Sequence, residues 1–125
     1  MARTLPTLTV LLLSLLPGAA AVHAHHAGSM FDSDKTVTLQ GTVREFQFTN
    51  PHCWIQLQVP GSSGTVEWSI EMGAPMHLMR SGWKRNTLKS GDKVTVVAHP
   101  LRDGGKGGQF VSLTDAAGKT LGAAP

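Results

Sequence analysis

Histidines stand at positions 23, 25, 26, 52, 77 and 99, downstream of an apolar opening stretch, and His25 and His26 are adjacent in His-Ala-His-His-Ala-Gly. Neutral imidazole ligates copper, zinc and nickel, and a free α-amine titrates at about 8. A histidine at a processed N-terminus therefore chelates one ion through both its amine and its ring. A third nitrogen from elsewhere completes the T-shaped histidine brace known for copper, and His52 is the residue expected to supply it, beside His25 and His26. His99 and Glu71 are candidate further ligands, Glu71 either as an oxygen donor or as the carboxylate that orients a histidine. Copper(II) or zinc is the implied cofactor, copper favoured, although imidazole alone does not choose among copper, zinc and nickel. A plainer reading stays open: paired histidines that only open a solvated start, and a His99 before Pro100 that only ends a strand.

Other chemistry-bearing residues point elsewhere. Met72, Met76 and Met79 lie close together, but Met76, Met79 and Trp83 share a helical face, so core packing is expected of them rather than copper(I) ligation. Cys53 neighbours His52, yet adjacent strand residues face opposite ways, so it reads as a small buried apolar residue, with no second cysteine to pair with. Gly-x-Ser-x-Gly, His-Glu-x-x-His and the phosphate-loop pattern are all missing, and no catalytic residue is assigned. Arg80, Lys84 and Arg85 are expected to solvate a helix end, contact with an acidic partner being the sharper alternative.

The opening residues set the address. Arg3, an apolar core from Leu8 to Leu16, a break at Pro17-Gly18 and small residues afterwards read as a cleavable secretory signal over residues 1–24. Cleavage fits after Ala24, which would make His25 the new N-terminus, or after Ala21. The apolar core is shorter than the roughly 20 residues a membrane span needs. A soluble periplasmic or secreted monomer is expected, with no membrane insertion after cleavage. Loss of Arg3 would leave ten basic against eight acidic side chains, about +2, too little to argue for nucleic acid.

The elements that must position these groups are strands. Thr36 to Phe48 alternates with a change of parity after Gly41, predicting a long first strand bent through a bulge. Thr49-Asn50-Pro51 is a turn signature. Cys53 to Val59 and Thr65 to Met72 alternate as a hairpin, the first with Cys53, Ile55 and Leu57 inward, the second with Val66, Trp68, Ile70 and Met72 inward and Glu67 and Glu71 outward. Pro75 to Gly82 predicts a short helix. Lys93 to His99 and Gln109 to Thr114 are the fourth and fifth strands, and Ala116 to Pro125 reads as loose.

Three strands, a helix and two strands is the order of an OB-like five-stranded Greek-key barrel, mainly β, with the helix between strands 3 and 4; a small β-sandwich is the competing architecture. The division is an N-terminal arm over 25–35, the barrel over 36–121 and a tail over 122–125. Extended, the arm from His25 to Asp34 reaches roughly 30 Å. The barrel order places His52 and His99 at the two loops that flank the face of strands two and three. That face, through Asn50, Trp54, Gln56 and Glu67, is also where a metal-free module would grip a protein, glycan or other small ligand.

His25-His26 after a signal, then MFD, KTVTLQGTV, TNPH with WI behind it, EWSIEMG, GWKR, LKSGDKV and HPLRDG, resemble a family of small exported bacterial proteins carried only as a domain of unknown function. The resemblance runs from about residue 25 to 121. It implies a periplasmic OB-type barrel without assigned activity, and directs attention to His25, His26 and the Asn50-Pro51-His52 turn. Members commonly follow the paired histidines with serine, where this chain has Ala27, so a hydroxyl there is not essential here.

Overall fold

The computed structural model describes residues 30–122. The expected signal, His25, His26 and the start of the arm lie outside the described residues, as do residues 123–125.

The described chain runs β1 (Val37–Gln47), β2 (Trp54–Gly61), β3 (Gly64–Glu71), α1 (Pro75–Arg80), β4 (Lys93–Pro100), β5 (Gly107–Asp115) and β6 (Thr120–Gly122). Neighbours follow the order β3-β2-β1-β4-β5-β6, and a further β3–β5 pairing closes the first five strands into a barrel. That closing pair is parallel, Ser69 beside Gly107 through Glu71 beside Gln109. The OB-like order read from the sequence is the one observed, and closure rules out the sandwich. Gly107 and Gly108, at the end of the glycine-rich run before Gln109, belong to β5 and make part of this closing pair.

The parity change in β1 has its cause at Arg44. Val43 pairs with Leu57 and Glu45 with Gln56, so Arg44 is the extra residue of a bulge. Leu39 and Val43 are buried before it and Phe48 after it, because one inserted residue moves the inward face to the other parity. Arg44 itself points to solvent and donates from Nε and Nη2 to the Glu67 carboxylate at 2.7 and 3.1 Å. Ile55, Leu57, Ile70, Val96, Ala98 and Leu113, the inward residues of β2 to β5, are fully buried.

α1 ends in a Schellman motif. Gly82 takes φ +87°, its N–H donates to Met79 O, and the Trp83 N–H donates to Leu78 O. The reversal folds Trp83 back over Leu78, and both are buried. This corrects the expectation for the methionines: Met76 and Met79 are 62% and 56% exposed, whereas Met72 is buried as read. Alignment of Met76, Met79 and Trp83 on one face requires a helix reaching residue 83, but α1 stops at Arg80.

The stretch read as loose also differs. The Asp115 carboxylate accepts from the N–H groups of Ala117 and Lys119 at 2.9 Å, and the resulting turn starts β6, which pairs with β5 from Ser112–Gly122 to Thr114–Thr120. The only apolar side chain of β6 is Leu121, so the strand is too short to show a period of its own.

The arm is tied to the end of β4. Phe31 bridges Leu101, the Asp32 N–H donates to Pro100 O, and the Arg102 N–H donates to Met30 O. Asp32 also takes the Asp34 N–H and the Lys35 ammonium, and that lysine bond is the main reason its carboxyl titrates below the ordinary carboxylate value. A depressed folded-state value means its stabilisation is present above the unfolded value of about 3.9 and is lost as pH falls through the folded one. Acid is therefore expected to loosen the arm below about pH 4 while the barrel persists, read as shifts of the Asp32, Asp34 and Arg102 amide signals. Asp32→Asn should reproduce those shifts at neutral pH.

Candidate functional site

The β1–β2 turn places the first candidate ligand. Thr49 Oγ1 lies 3.4 Å from His52 O, and the Asn50–Pro51 peptide is cis. Cys53 then goes inward: its N–H donates to Gly73 O, its side chain is fully buried, and burial pushes its thiol above the ordinary value, against a weak bond to Thr49 O and the nearby Arg85. His52 consequently faces out, on the side of Trp54. Trp54 pairs with Glu71 across β2–β3, and from the diagonal position the His52 ring reaches that carboxylate, Nδ1 against Oε1. The His52 side chain is 41% exposed and that of Glu71 13%.

A carboxylate only accepts, so Nδ1 of His52 carries the proton and the lone pair of the neutral ring sits on Nε2. His99 repeats this arrangement. Its Nδ1 lies 2.7 Å from Lys35 O, a carbonyl, which again leaves the lone pair on Nε2. Both rings are held in the tautomer that offers Nε2 outward. Register sets their spacing: His99 pairs with Gln109, Gln109 with Glu71, and Glu71 with Trp54. At about 4.8 Å per strand, the backbones of His99 and Glu71 are roughly 10 Å apart on the outer surface.

Among the described residues, no three His, Cys, Asp or Glu side chains gather closely enough to hold an ion. The structure thus joins His52 to Glu71 and puts His99 farther round the same rim. His77, in the last turn of α1, forms no ligand group with this pair. Because Met30 is held against Arg102, the chain length back to His25 spans at most about 17 Å rather than roughly 30 Å.

The outer face of β2 and β3 is occupied by its own polar network. Ser69 Oγ donates to Gln56 Oε1 at 2.6 Å, Gln56 Nε2 donates to Gln47 Oε1 at 3.1 Å, and Glu67 is paired with Arg44. Of the four residues expected to hold a ligand there, Gln56 and Glu67 are engaged within the sheet, Trp54 stays half-buried, and Asn50 lines a groove beside α1. The role of Lys35 was not legible in the sequence, since a backbone carbonyl aimed at a histidine 64 positions away leaves no pattern. Concavities of about 440 and 500 Å³ elsewhere contain no histidine.

Together, fold and rim define a small closed OB-type barrel with outward imidazoles beside its flanking loops. The family of unknown function DUF6152 matches residues 12–110, and the chain belongs to that family. No curated protein and no solved structure matches the chain. No helix among the described residues is long and apolar enough to cross a membrane.

Proposed function

We propose that this barrel is an exported, periplasmic binding protein that holds copper(II), or failing that zinc, through Nε2 of His52 together with the nitrogens of His25 and His26. The observation that carries the reading is the His52–Glu71 pair. A carboxylate on Nδ1 is the usual outer partner of a metal-bound histidine, because it fixes the ring and raises the basicity of Nε2. The anchored tautomer of His99 supports it as an additional ligand on the same rim. The apolar stretch before Ala24 supports export, and cleavage there would expose the chelating amine. The metal-free alternative, a ligand gripped by Trp54, Gln56 and Glu67, has less support, because Gln56 is already bonded to Ser69 and Gln47, and Glu67 to Arg44.

The test is a copper(II) titration of the tag-free, signal-processed protein, its N-terminus confirmed by mass spectrometry, with d–d absorption as readout. Binding tighter than micromolar is expected, weakened more than about 100-fold by His52→Ala and roughly 10-fold by Glu71→Gln, and unchanged by His77→Ala. No binding tighter than micromolar, or an affinity indifferent to His52→Ala, overturns the reading.

A further inference from the structure

Charge along the chain is segregated in a way the metal reading does not use. Between Met72 and Gly91 stand Arg80, Lys84, Arg85 and Lys89, with no Asp or Glu. The segment Phe46 to Val66, whose turn residues Phe48, Thr49 and Asn50 border a groove together with Lys84 and Arg85, has no Asp, Glu, Lys or Arg. The flanking acids are committed: Glu71 to His52, and Asp92 to the Lys89 N–H at 2.8 Å.

Within this basic region lies a groove of about 610 Å³ whose walls include Phe48, Asn50, Pro75, Met79, Lys84 and Arg85. Its chemistry is mixed by design of the fold. The α1 stop at Arg80 leaves Met76 and Met79 outside the core, and the Arg85 guanidinium lies 5.7 Å from the Phe48 ring centroid, roofing one end. Two exposed methionines on one short helix are unusual on a surface otherwise rich in polar side chains. Methionine there suits an adaptable contact. Nothing in this chain's own remaining sequence complements the charge, because residues 1–29 and 123–125 contain no Asp or Glu.

We propose that the groove between the β1–β2 turn and α1 docks an acidic, apolar-bearing peptide segment of a partner protein. Its carboxylates meet Lys84 and Arg85 while an apolar side chain lies against Phe48 and Met79. The concavity selects a peptide over an anionic lipid surface, which is flat on this scale. This surface is independent of any metal, although Asn50 borders both it and the His52 turn.

The test uses the signal-processed protein, 15N-labelled, and a ten-residue synthetic peptide of alternating glutamate and leucine. Amide shifts are expected to be confined to Phe48–Asn50 and Met76–Arg85, with an affinity that falls as salt rises. The double variant Lys84→Glu/Arg85→Glu should weaken binding at least ten-fold, and Met79→Ser several-fold. Met79 is exposed, so that variant keeps the test usable if the charge reversal perturbs folding. Absence of shifts at the groove, equal binding of a lysine–leucine peptide, or binding unaffected by either variant overturns the proposal. So does capture by phosphatidylglycerol vesicles without peptide binding, which would assign the patch to a membrane. A dimer abolished by the charge reversal would likewise overturn it, by assigning the patch to a second copy.

Discussion

Trp83→Ala is expected to lower the unfolding free energy by about 3–5 kcal/mol, a large part of the 5–15 kcal/mol typical of a domain. Trp83 is 1% exposed and sits at the junction of three parts of the fold. Its ring stands edge-on to Phe110 of β5 with centroids 5.4 Å apart, and tilted against Phe46 of β1 at 5.8 Å. Its indole Nε1–H donates to Gly122 O at 3.0 Å, so truncation also removes a tie to the end of β6. The loss thus combines a cavity, two aromatic contacts and an unpaired carbonyl. Denaturant unfolding reads the effect. Met76→Ser, on the exposed face of α1, should stay within about 0.5 kcal/mol. A cost below 1 kcal/mol for Trp83→Ala would mean that the barrel end is not packed on this ring.

The second large effect is expected at Gly41. A Cβ built there meets Gln58 O at 2.5 Å and Leu57 Cγ at 3.0 Å, and the first of these is backbone of the paired strand. A flexible side chain moves aside, but a carbonyl inside a ladder does so only by separating β1 from β2. Gly41→Ala is accordingly expected to cost about 2–3 kcal/mol through overpacking. Gly73→Ala is the matched control, since its nearest neighbour would be His77 Cβ at 3.9 Å, an ordinary contact. Equal melting temperatures for the two variants would show that β1 and β2 are not held this closely.

Much of the architecture was legible because burial in a small barrel imposes period two. Ile55, Leu57, Ile70, Val94 and Val96 announce their inward faces through alternation, and the parity change in β1 announces a bulge, although three residues early. The turn at Asn50-Pro51 and the stop at Gly82 are local backbone preferences and were equally readable. Met76 and Met79, unlike Met72, depart from the expected burial because the same preference at Gly82 ends α1 before a helical face can reach Trp83.

The candidate site was legible only as residue types. That His52, His99 and Glu71 can ligate or orient is written in their chemistry. That the His52 ring rests on Glu71, 19 positions away, depends on the register of β2 against β3, and that His99 is anchored by Lys35 O depends on the arm lying along β4.

By itself, the sequence determined which residues face inward, where the chain turns and which side chains carry donor chemistry, since these follow from nearest-neighbour preferences and side-chain type. The tertiary structure decided the pairing of β6, the tautomers of both rim histidines and the Arg44–Glu67 bond that occupies the sheet face. Each of these is a contact between residues distant in the chain. Such contacts are set by register and closure, and neither leaves a periodic trace in a single strand.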